Sequence, residues 1–61
     1  MSTYLPKRGD VVTICGIPQF TYTVVGLRDW DPDEPWFSTF DLVRNDGKES
    51  WDTIENLSLA N

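Results

Sequence analysis

The stretch Gln-Phe-Thr-Tyr-Thr-Val-Val-Gly-Leu, residues 19–27, decides the fold of this chain. It is the longest run of aromatic and β-branched residues, and such side chains fit a pleated, half-buried surface better than a helix. Phe20, Tyr22 and Val24 alternate with threonines in its first half. This period of two predicts a β-strand with one buried face and one exposed face.

Gly26 interrupts that alternation near the end of the stretch. A β-bulge at this glycine would return Leu27 to the buried face and bend the strand sharply, as a small curled sheet requires. We therefore predict a long strand that runs to about Arg28.

The length and net charge of the chain limit its number of domains and its possible partners. The 61 residues predict a single domain over 1–61, with room for a small core but little for an enclosed catalytic pocket. The net charge is -5, with only five lysines and arginines. Because phosphate neutralisation supplies most nucleic-acid affinity, this balance argues against DNA or RNA as the partner.

Cysteine and histidine usage narrows the chemistry further. Cys15 is the only cysteine, and histidine is absent. The chain therefore lacks paired-cysteine metal motifs, the commonest general base and the commonest metal ligand. With no signal-peptide pattern and no apolar run that could span a bilayer, we expect a cytoplasmic protein without membrane contact. Cys15 itself is expected to pack as a small apolar residue.

The remaining elements lie between runs of turn residues. We predict that residues 1–6 form an N-terminal arm, with Tyr4 and Leu5 lying across one end of the folded strands. Asp46-Gly47 favours a tight hairpin. We predict turns at 7–10 and 16–18, further strands at 11–15, 36–44, 48–52 and 58–60, a helical turn at 52–57, and inward side chains at Val12, Ile14, Phe40, Leu42, Ile54 and Leu57.

These elements predict an all-β fold, a small five-stranded SH3-like barrel with one short helical turn before the last strand. An OB-fold also has five strands, but it usually carries a helix between strands three and four that this sequence lacks. No repeats, low-complexity tracts or linkers divide the chain.

Several short segments, taken in order, resemble a known family. They are Gly9-Asp10-Val11-Val12, Gly16-Ile17-Pro18, Tyr22-Thr23-Val24, Trp36-Phe37, Asp46-Gly47 and Asn56-Leu57. Over residues 9–57 this order resembles small SH3-like bacterial proteins of the YodC-like (DUF2158) type and, more distantly, KOW and Tudor modules. The resemblance implies a barrel. The YodC-like proteins imply no established activity, and the more distant resemblance to KOW and Tudor modules implies binding to proteins or RNA rather than catalysis. The segment from Trp30 to Pro35 is longer and more acidic than the family pattern.

That segment is the candidate functional site. Two prolines in four positions exclude regular strand pairing, so we predict a stiffened loop. Tryptophans are enriched in binding hot spots, and carboxylates favour a basic partner. The predicted binding residues are Trp30, Asp31, Asp33, Glu34 and Trp36, with Tyr22 and Phe37 as the floor of the site.

Three other interpretations of the loop stay open. Its tryptophans could cap the barrel while its carboxylates only keep the protein soluble. Asp29, Asp31 and Asp33 alternate as at the start of a calcium loop, but Glu34 and Phe40 replace the glycine and the bidentate acid that such loops need. Tyr22, Trp30, Trp36 and Phe37 could also surround a methylated ammonium group as an aromatic cage.

Taken together, the sequence predicts a non-enzymatic protein-interaction module with no catalytic residue, metal or cofactor. Its partner is a protein with a basic surface, and the module fits a small regulator or inhibitor encoded by a phage or mobile element. A homodimer is compatible with a small barrel that has open strand edges. The alternative is a nucleic-acid-binding barrel that uses Arg44, Lys48, Arg28 and Trp51.

Overall fold

The structure, a computed structural model, describes residues 4–60, and these form one antiparallel sheet of five strands in the order β4-β3-β2-β1-β5. The strands are β1 (Val11–Ile14), β2 (Ile17–Asp29), β3 (Thr39–Arg44), β4 (Glu49–Thr53) and β5 (Leu57–Leu59). Short 3-10 turns at Pro35–Phe37 and Ile54–Asn56 precede β3 and β5. The predicted all-β fold, with five strands and one short helical turn before the last, is confirmed. The sheet stays open, with β4 and β5 as its edges.

Strand β2 has 13 residues and pairs with both β1 and β3. Val24 lies opposite Leu42 and Gly26 opposite Asp41, so Val25 is the extra residue of a bulge. The predicted bulge at this point is confirmed. Leu27 does lie opposite Phe40, and directly opposite residues share a face, yet its side chain is 54% exposed. Its predicted burial is wrong, because the small core ends at Phe40 and leaves this end of β2 uncovered.

The core consists of six buried side chains, with Tyr4, Ile14 and Tyr22 packed against it. Members of the core come from every strand except β4 and from the second 3-10 turn. They are Val12, Val24, Phe40, Leu42, Ile54 and Leu57. The inward positions predicted from the alternation of each strand are therefore confirmed, although Ile14 is only half-buried. Ile54 and Leu57 become neighbours in the core because the 3-10 turn brings positions three apart to one side.

The connection between β1 and β2 differs from the prediction. Ile14 pairs with Ile17, and the two residues between them, Cys15 and Gly16, have φ values of 54° and 69°. Positive φ at both positions is the geometry of a type I′ hairpin turn. Cys15 is exposed in this turn, so its predicted packing role is wrong. Pro18 lies inside β2, beyond the last residue paired with β3, where its missing amide disrupts no ladder.

The start of β3 also differs from the prediction. Trp36 belongs to the 3-10 turn Pro35–Phe37, and the strand begins only at Thr39. Pro35 stands at the first position of the turn, where its fixed φ favours a helical start and no amide donor is needed.

The N-terminal arm is described from Tyr4 onward, and residues 1–3 lie outside the described part. The Tyr4 hydroxyl donates a hydrogen bond of 2.6 Å to Asp10, and Pro6 is buried. Leu5, predicted to cover one end of the barrel, is 53% exposed. No helix within residues 4–60 is long and apolar enough to cross a membrane.

Candidate functional site

Ser38 organises the acidic loop, which we define as residues 30–38. Its side chain is 1% exposed, and its Oγ accepts a hydrogen bond of 2.9 Å from the Asp31 amide. Its own amide donates to the Pro35 carbonyl at 3.0 Å, and its carbonyl accepts from the Ile54 amide at 2.9 Å. One buried residue thus joins both ends of the loop to each other and to the second 3-10 turn.

Asp31 shapes the loop from within. Its Oδ1 accepts hydrogen bonds of 3.1 Å from the amides of both Asp33 and Glu34. An aspartate that binds amides two and three residues ahead forms an Asx turn, which fixes the local backbone. Asp31 was predicted as a partner-binding carboxylate, and one of its oxygens is already used inside the loop.

Three aromatic side chains of the loop lie on the surface. Trp30, Trp36 and Phe37 are 44%, 47% and 44% exposed. The rings of Trp36 and Phe37 are 6.1 Å apart between centroids and tilted by 57°, within the range of favourable aromatic pairs. Phe37 therefore lies beside Trp36 at the surface. The sequence analysis had instead predicted Phe37 as part of the floor beneath the tryptophans.

The carboxylates around these rings carry uncompensated charge. Asp29, Asp33 and Glu34 are exposed, and none forms an ion pair with any residue in the described part of the chain. Negative charge beside exposed aromatic rings attracts a cationic surface and raises the rate of encounter with it.

The structure separates Tyr22 from the rest of the predicted site. Tyr22 lies opposite Arg44 at one end of the β2–β3 pair, whereas the acidic loop follows Asp29 and Thr39 at the other end. Seven residue steps along β2, at about 3.3 Å each, separate Tyr22 from Asp29. Its ring packs against the core instead.

The same separation bears on the other interpretations of the loop. Because Tyr22 is distant, the four rings of the proposed aromatic cage are not gathered at one point. Within residues 4–60, no group of three or more acidic or cysteine side chains converges as a metal site would require. The geometry therefore leaves the calcium and cage interpretations without support.

The basic residues of the nucleic-acid alternative lie on two different faces. Arg44 binds both carboxylate oxygens of Asp46, at 2.8 and 2.6 Å, and its guanidinium covers the Phe20 ring at 4.2 Å on the core side of the sheet. This bidentate contact lowers the pKa of Asp46 to about 2. Arg28 lies on the outer side, bonded to Asp41 at 3.1 Å. The predicted set does not form one basic surface.

A second surface was missed by the sequence analysis. On the outer side of β2, β3 and β4 an open groove of about 450 Å³ is lined by both apolar and charged side chains. The lining residues that bear on function are Val25, Arg28, Asp41, Val43, Glu49 and Trp51. We call it the outer groove. The sequence did contain a signal for this groove. Asp41 and Trp51 alternate along their strands with residues that face inward, so both could have been predicted on the outer face of the sheet.

Arg28 forms one wall of the outer groove. Its guanidinium lies 5.1 Å from the centroid of the Trp51 ring, within the distance of a cation–π contact. The Trp51 ring is nevertheless 52% exposed. Arg28 is thus engaged by both Trp51 and Asp41, although its side chain remains 51% exposed.

Comparison with known proteins identifies no relative of this chain. No family model matches the chain, and neither a curated protein nor a solved structure is significantly similar to it.

Proposed function

We propose that this chain is a non-enzymatic protein-interaction module that binds a basic protein surface through the acidic loop. The observation that carries the proposal is the exposure of Trp30, Trp36 and Phe37 on a loop fixed by Ser38. Burying such rings against a partner is favourable, and a loop ordered in advance loses little entropy when it binds. The carboxylates of Asp33 and Glu34 select for basic partners.

The proposal extends to the biological role. A small acidic protein that covers a basic surface can block a nucleic-acid-binding groove of its target, and we propose that this chain is such an inhibitor, encoded by a phage or mobile element. We place the protein in the cytoplasm, where the exposed thiol of Cys15 stays reduced.

Capture from a cell lysate tests the loop directly. The Trp30→Ala/Trp36→Ala double variant should lose the partners that the wild-type protein retains, as identified by mass spectrometry. Leu59→Ala is the matched control, because Leu59 is 54% exposed and belongs to β5. Circular dichroism must show that both variants are folded. Partners that stay bound to the double variant would place the binding site elsewhere.

A gel-shift titration separates this proposal from the nucleic-acid alternative. A protein that binds through the acidic loop should not shift single-stranded DNA even at low salt. Tight binding with a steep dependence on salt concentration would favour the alternative, because that dependence reports the number of phosphates neutralised.

A further inference from the structure

Both bulges of β2 deliver side chains to the outer groove. Val25 is the extra residue between Val24 and Gly26, and Arg28 is the extra residue between Leu27 and Asp29. Both line the groove. Bulges re-aim side chains and are frequent beside functional sites. The groove is therefore built by local departures from regular pairing.

The groove combines an apolar floor with carboxylates. Val25 and Val43 supply the floor. Asp41 lies opposite Trp51 and Val43 opposite Glu49, so Asp41 and Glu49 are diagonal neighbours on adjacent strands, about 7 Å apart. Arg28 bonds to Oδ1 of Asp41, and Glu49 has no ion-pair partner among residues 4–60.

These features fit the side chain of a lysine or arginine better than other occupants. Such side chains lay an apolar stem on an apolar surface and keep a cationic head in contact with acceptors. An acidic occupant would meet Glu49 and Asp41, while Arg28 is already held by Asp41 and Trp51. The charges therefore complement a basic segment.

We infer that the outer groove binds a lysine or arginine side chain of the same basic partner, with its stem on Val25 and Val43 and its head between Asp41 and Glu49. This inference rests on the proposed function, since it assumes a basic partner. It widens the interface from the acidic loop to the outer side of the sheet. Two linked contacts strengthen binding beyond what either provides alone.

The three tryptophans make the two contacts separately observable. In the ¹⁵N-labelled protein, the indole N–H signals of Trp30 and Trp36 report the acidic loop and that of Trp51 reports the outer groove. Titration with the synthetic peptide hexalysine should shift all three signals. Glu49→Gln should raise the apparent Kd that the Trp51 signal reports by about 1.4-fold to fivefold, the range for an exposed ion pair. Glu55→Gln removes the same charge from the exposed turn before β5 and should leave that Kd unchanged.

The possible outcomes are distinct. Shifts of Trp30 and Trp36 without Trp51 would overturn the groove inference and leave the proposed function standing. A shift of Trp51 alone would support the groove and contradict the loop, and no shift at all would contradict both. A Trp51 shift caused by hexaglutamate or oligothymidylate but not by hexalysine, or by raising the protein concentration without any peptide, would assign the groove to another occupant and overturn the inference.

Discussion

The carboxylate of Asp52 accepts a hydrogen bond of 2.7 Å from the backbone amide of Thr53. The hydrogen bonds from Arg44 to Lys48 and from Ile54 to Ser38 show that even-numbered residues of β4 bond to β3. Because hydrogen-bonded and non-hydrogen-bonded pairs alternate in an antiparallel ladder, the backbone N–H and C=O groups of the odd-numbered residues of β4 then point toward the open edge. The Asp52 carboxylate thus satisfies the Thr53 amide, which this edge strand would otherwise present to another chain.

Asp52→Ala should therefore destabilise the protein and expose the β4 edge. The same Oδ1 also accepts from the Asn56 side chain at 2.8 Å, so two donors lose their acceptor. We expect a loss of about 1–2 kcal/mol in the free energy of unfolding, measured in urea. Sedimentation should show more self-association than in the wild type. Asp52→Asn keeps an acceptor oxygen, and an equally large effect there would contradict the assignment.

Ser38→Ala should loosen the acidic loop and lower stability together. The substitution leaves the Asp31 amide without its acceptor, which costs about 1–3 kcal/mol when the group is shielded from water. Hydrogen exchange at the Asp31 amide should become faster. Ser58→Ala is the control, since Ser58 is exposed on β5 and the change should stay within about 0.5 kcal/mol. Unchanged exchange at Asp31 would mean that Ser38 does not hold the loop.

The Arg44–Asp46 contact predicts a pH dependence at the acid end. Because Arg44 lowers the folded-state pKa of Asp46 to about 2, below its unfolded value near 3.9, the contact stabilises the fold fully above pH 4. That contribution is lost as the pH falls from about 4 through 2. The carboxyl ¹³C shift of Asp46 should titrate near 2 in the wild type and at a clearly higher pH in Arg44→Met, where only the backbone hydrogen bonds still lower the pKa. Arg28→Met should leave the midpoint unchanged, and a midpoint near 3.8 in the wild type would refute the contact.

Two glycines should respond differently to alanine. Gly47 closes the β3–β4 hairpin with a φ of 93°, a conformation that costs a side chain about 1–2 kcal/mol. Gly26 has no such φ, and a Cβ there would meet open space. Gly47→Ala should therefore destabilise the protein by roughly that amount, while Gly26→Ala should be neutral or stabilise it by up to about 1 kcal/mol. Similar losses in thermal unfolding for both variants would contradict this distinction.

The acidic loop shows which features of the candidate site could be predicted from the sequence and which could not. Its prolines, tryptophans and carboxylates are visible in the sequence, and the structure leaves Trp30 and Trp36 exposed there. The role of Ser38 was not predictable, because a serine becomes the centre of a loop only when the fold brings Asp31 and Ile54 to it. Tyr22 was assigned to the site although its strand position places it opposite Arg44.

The sequence by itself determined the existence and order of the five strands, the bulge near Gly26, the Asp46–Gly47 hairpin turn and the six core positions, but not the exposure of Leu27 and Cys15 or the start of β3. The features that it determined depend on the period of side chains along one strand and on local backbone preferences. Only the tertiary structure decided which residues share the outer groove and that Arg28 and Arg44 lie on opposite sides of the sheet. Those outcomes depend on register between strands that are distant in sequence, and a one-residue change in register moves every side chain to the other face.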